Sequence, residues 1–118
     1  MLFPWRLRQT AFLQRSPMSD EQFLEIIQAT GAFSENFLKC CRSKLGEVFQ
    51  VDPNKIYPTD TWQDLYSLGF VNWDVLEIVF SLEEALKIEI DEEKVPIPSS
   101  KNQIGAWITK FISNCSSK

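Results

Sequence analysis

Apolar residues recur at intervals of three and four in four separate segments of this chain, and they alternate almost nowhere. Period 3.6 is the signature of helices that bury one face. A chain written that way packs helices on helices, and strands have almost nothing to build on. The segments are short. Residues 19–30 place Phe23, Ile26 and Ile27 on one side, with Ser19 and Gln22 spaced as a capping box and Asp20 and Glu21 in the first turn. Gly31 reads as the stop. Ser34 opens a second capping pattern, and Phe37, Leu38, Cys41, Leu45, Val48 and Phe49 make residues 35–50 a helix that Asp52-Pro53-Asn54 ends.

Residues 51–71 are a long connection, broken by Pro53, Pro58 and Gly69 and anchored by Ile56, Trp62, Leu65 and Leu68. A loop of that length in a small domain is functional or hides a helical turn, here expected at residues 63–67. The clearest helix runs from Trp73 to Leu86, with Val75, Leu76, Val79, Leu82 and Leu86 as its stripe and Asn72 as its cap. Lys87 to Ile90 reads as a short extended exit. Residues 101–113 form the closing helix through Ile104, Trp107, Ile108, Phe111 and Ile112. The expectation is an all-α bundle of four helices. Its division is a flexible tail over residues 1–17, an additional helix within 18–33 and the main helical domain over 34–115.

At 118 residues the chain has room for one such domain, and 44% hydrophobic content suits a globular protein. No run approaches the length of a membrane span. Histidine is absent, which removes the commonest general base and zinc ligand, and no paired acid and base or activated nucleophile is visible. The expectation is a protein that is not an enzyme. Cys40, Cys41 and Cys115 form no metal-binding spacing and read as reduced thiols of a cytoplasmic protein.

Charge is uneven. The first 17 residues carry Arg6, Arg8 and Arg15 and no acid. That composition leaves a transit-type segment or an upstream extension ahead of Met18 as readings. Between Asp60 and Glu93, Lys87 is the one base among Asp60, Asp64, Asp74, Glu77, Glu83, Glu84, Glu89, Asp91, Glu92 and Glu93. Such a field repels nucleic-acid phosphates and steers basic protein surfaces toward it. Asp91, Glu92 and Glu93 lack the ligand spacing of a calcium loop and read as a solvated turn.

From Leu45 to Ile112 the chain resembles an acyl carrier protein, the peptidyl carriers included. The likeness is strongest in LGFVNWDVLEIVFSLEEALKIEI, residues 68–90. Leu68-Gly69 stands for the family's Leu-Gly, and Asp74, Glu77 and Leu82-Glu83-Glu84 fall in register. Upstream, VFQVDPNKIYPTDTW matches the end of the family's first helix and the loop that closes on an aromatic, here Trp62, with two residues more than usual before Gly69.

The resemblance breaks at one position. Asn72 aligns with the serine that accepts the phosphopantetheine arm, with Val71 and Trp73 in place of the neighbouring aspartate and leucine. A carboxamide offers no hydroxyl to attack the diphosphate of coenzyme A. The resemblance therefore implies an unmodified interaction module without a cofactor. It would dock a basic partner protein, for instance a biosynthetic enzyme, through Phe70, Trp73, Asp74, Glu77, Glu83 and Glu84. Trp73 reads either as an exposed knob there or as a filler of the bundle. The alternative is a genuine carrier of a fatty-acid, polyketide or peptide pathway, with 4'-phosphopantetheine on Ser67. A third reading is a small structural or regulatory protein whose likeness to carriers stops at the fold.

Overall fold

The computed structural model describes residues 12–68 and 73–116. Its helices are α1 (Asp20–Ile27), α2 (Ala32–Phe49), α3 (Trp62–Tyr66), α4 (Leu76–Leu86) and α5 (Ile104–Ser116), with 3-10 turns at Pro53–Lys55 and Glu92–Lys94. No strand forms among the described residues; an isolated bridge joins Thr61 to Gln103. The protein is an all-α bundle. Among the described residues, no helix is long and apolar enough to cross a membrane.

α1 starts as its sequence requires, with the Ser19 side chain accepting from the Gln22 amide and Gln22 returning the bond. It ends early. Gln28 takes a left-handed conformation (φ 59°), and its amide closes on Glu25 and Leu24. Gly31, expected as the stop, is instead the residue before α2 (φ 95°), and Ser34 lies buried inside that helix rather than capping it. Phe23 is fully buried, whereas Ile26 is 53% exposed. α1 is no appendage, since it packs on both α2 and α5. The boundary expected near residue 33 does not divide the core.

α2 forms the spine. Phe37, Leu38, Cys41, Leu45 and Phe49 all face inward, and so does Arg42, 1% exposed. A buried guanidinium needs partners. Arg42 donates to Asp20 Oδ1 at 2.8 Å and to the Ile56 carbonyl at 2.9 Å, and lies 4.9 Å above the Phe23 ring. This one side chain ties α1 and the loop beyond α2 to the spine.

The connection between α2 and α4 is ordered by exchange with the chain ahead of α5. The first amides of a helix lack partners within it. Here Trp62 and Gln63 donate to the Asn102 and Ser100 carbonyls, while Ile104 and Gly105 donate to those of Asp60 and Pro58. The two helix starts satisfy each other. Gly105 is required for that approach, because a Cβ there would stand 2.7 Å from Pro58 Cβ and 2.9 Å from its carbonyl oxygen. The helical turn expected at residues 63–67 is α3, one residue earlier, with a Thr61/Asp64 capping box.

The tail expected over residues 1–17 does not extend through residues 12–17. Phe12 is 5% exposed within the core cluster, and Arg15 pairs with Asp60 at 2.9 Å. An apolar anchor and a charge-assisted bond are what a terminal segment needs to stay docked.

Candidate docking surface

Asn72 and Phe70, two of the residues singled out in the sequence, lie outside the described residues, as do Gly69 and Val71. The helix expected to begin beside Asn72 begins at Leu76. Its first turn is held by Asp74: Oδ1 accepts from the Leu76 amide at 3.0 Å, and the Asp74 amide donates to Glu77 Oε2 at 3.2 Å. The two carboxylates thus take the Leu76 and Asp74 amides, donors that the first turn would otherwise leave without a partner. Asp74 and Glu77 satisfy two amides at the start of α4, and the capping role expected of Asn72 lies outside the described residues.

Trp73 is half-buried. It stacks on Trp62 with 5.6 Å between centroids and 18° between planes, and meets the Phe49 ring at 5.7 Å and 68°. The exposed knob gives way to a filler that joins the start of α4 to the aromatic centre of the bundle. Trp107 extends that centre, edge-on to Trp62 at 5.1 Å, with its indole nitrogen donating to the Pro96 carbonyl at 2.7 Å.

Ile78, Val79 and Leu82 are the buried residues of α4. Ile78 lies off the expected stripe, while Val75, Leu76 and Leu86 are only half-buried. The inward face is rotated accordingly, and Glu77, Phe80 and Glu84 point outward as one line at spacings of three and four. Phe80 is 62% exposed, a full aromatic side chain between two carboxylates. The sequence does not single it out, because Phe80 stands four residues after Leu76 and seven after Trp73 and so has the spacing of an inward residue.

The acids expected to act together are divided by the structure. Glu84 is exposed. Glu83 is half-buried and accepts from the Ile90 amide at 2.9 Å, which ties the irregular segment after α4 back to that helix. Asp91 is likewise used locally, accepting from the Glu93 amide at 3.0 Å. Among the described residues, no group of acids and cysteines is placed to hold a metal ion.

Ser67, the alternative attachment point, follows the last residue of α3, and its hydroxyl donates to the Asp64 carbonyl at 2.7 Å. A hydroxyl at a helix C-terminus faces the negative end of the backbone dipole, opposite to the setting that favours an incoming phosphate.

An open groove of about 850 Å³ runs between α2 and α4, lined by Lys39, Cys40 and Lys44 on one side and Ser81, Glu84 and Lys87 on the other. Burial pushes the Cys40 thiol above its ordinary value, Lys44 offsetting part of the effect, and burial pushes Cys41 well above it. Thiols in that state are poor nucleophiles at neutral pH.

Comparison of the chain with family models, curated proteins and solved structures finds no match.

Proposed function

We propose that this protein is a carrier-like interaction module, without catalysis or a phosphopantetheine arm of its own, that docks a basic protein surface through the outer face of α4. The observation that carries the reading is the exposed line Glu77–Phe80–Glu84, an aromatic anchor set between charges. Buried aromatics dominate interface energetics, and flanking charges set approach and orientation. The element order supports the carrier likeness: the long α2, an ordered connection, acidic α4, a short turn and a closing helix. Three free cysteines favour a cytoplasmic setting.

The reading fits an asparagine at residue 72, which retains polarity and gives up the nucleophile. Two measurements test it. Incubation with a broad-specificity phosphopantetheinyl transferase and coenzyme A should leave the mass unchanged; a gain of the arm would refute the module and, if mapped to Ser67, establish the carrier. Titration of a carrier-dependent ketosynthase bearing a basic docking patch should show binding that Phe80→Ser weakens about tenfold. Equal affinity of wild type and Phe80→Ser, or no binding by either, would remove α4 as the docking face.

A further inference from the structure

Arg15 sits in a socket built by another part of the chain. Its Nη1 donates to Asp60 Oδ1 at 3.0 Å, to Asp60 Oδ2 at 2.9 Å and to the Lys55 carbonyl at 3.1 Å. The guanidinium carbon lies 4.2 Å from the Tyr57 ring centroid and 4.0 Å from that of Phe12. Asp60, 6% exposed, is fixed independently of Arg15, because its Oδ2 accepts from the Tyr57 amide at 2.7 Å and its carbonyl accepts from Ile104. Lys55 Nζ and the Tyr57 hydroxyl donate to the Leu13 and Ser16 carbonyls, main-chain contacts that any side chains would permit. All three bonds come from the one Nη1, so what favours a planar guanidinium over an ammonium here is its stacking on the Tyr57 and Phe12 rings beside a buried carboxylate.

What fills the socket is a short pattern. Phe12 enters the core and Arg15 the socket, while Leu13 (58% exposed) and Gln14 between them stay outside. The walls come from the loop between α2 and α3; the occupant comes from the segment ahead of α1. Receptor and ligand are thus two stretches of one chain.

We infer that the Lys55–Asp60 socket is a recognition site for an arginine-bearing segment of aromatic-x-x-Arg pattern, filled in this structure by the chain's own Phe12–Arg15 and open in trans to such a segment on a partner protein. The tethered segment competes at an effective concentration on the order of millimolar, so the site is masked until it is displaced. None of the α4 residues takes part, so this site and the proposed docking face stand or fall separately.

The test uses a fluorescent peptide spanning residues 10–17 and the full-length chain. Arg15→Lys keeps a cation beside Asp60 while giving up the stacking on Tyr57 and Phe12, and its circular dichroism and urea midpoint are compared with wild type to establish that it folds. Arg15→Lys should bind the peptide at least tenfold more tightly than wild type. Replacing the peptide's arginine by alanine, or adding Asp60→Asn to Arg15→Lys, should abolish binding. Equal affinity of wild type and folded Arg15→Lys, absence of binding to both, or binding indifferent to Asp60→Asn would each overturn the inference.

Discussion

Asp60 and Glu84 are carboxylates in opposite settings. Asp60 is enclosed by Arg15, the Tyr57 amide and the crossing of two helix starts. Glu84 stands at the rim of an open groove on the outer face of α4. The same division runs through the molecule. Asp20 serves Arg42, Asp74 serves the first turn of α4, and Glu83 serves Ile90. Charges at the crossing of α1, α2 and the loop to α3 are committed to the chain itself. On the outer face of α4, Glu77 accepts from the Asp74 amide and Glu84 stands exposed, with the exposed Phe80 ring between them as an apolar centre.

If this contrast is correct, substitutions should rank by setting. The largest loss belongs to Asp20→Ala, which leaves the buried Arg42 without its carboxylate; we expect about 3 kcal/mol from the urea midpoint. Gly105→Ala forces a Cβ against Pro58 and should lower stability by about 2 kcal/mol, measured the same way. Asp74→Ala should cost about 1 kcal/mol, together with helical signal in circular dichroism. Glu84→Lys should change stability by less than about 0.5 kcal/mol. A larger loss at Glu84 than at Asp74 would break the comparison.

A pH series sharpens it. Burial holds the Asp60 carboxyl above its ordinary value of 3.8, a rise that the Tyr57 amide and Arg15 only partly offset. An acid whose folded pKa is raised binds its proton more tightly folded than unfolded. Its stabilising contribution is fully present below the ordinary aspartate value and is lost as pH rises through the folded one. The unfolding free energy of wild type relative to Asp60→Asn should therefore fall across that window, in paired urea titrations. A difference that grows with pH would show that Arg15 outweighs burial.

Much of this arrangement was legible in the residues. Period 3.6 located α1, α2, α4 and α5, α3 was expected from the length of its loop, and the helical residues 12–14 were read as tail; the Ser19/Gln22 box fixed the start of α1 because a capping box is a local device. The boundaries that differed depend on distant partners. Ser34 had the form of a cap but is buried within α2, and Gly31 had the form of a stop but precedes a start. Arg15 looked like part of a loose basic tail because its partner lies 45 residues away. Trp73 was readable both as knob and as filler until Trp62 was brought beneath it. Of the expected surface, Asp74 and Glu77 turned out to be bonded to each other, and Phe80 could be recognised only once the inward side of α4 was known.

Three helices leave through a residue in the left-handed region that is not glycine: Gln28 after α1, Gln50 after α2 and Lys87 after α4, with φ of 59°, 57° and 56°. Each such conformation is unfavourable by about 1 kcal/mol for a residue with a Cβ. The ends of these helices are consequently imposed by the assembled protein. Excised peptides covering α2 or α4 would be expected to unwind or run past Gln50 and Lys87, so fragments are poor proxies for where this chain bends.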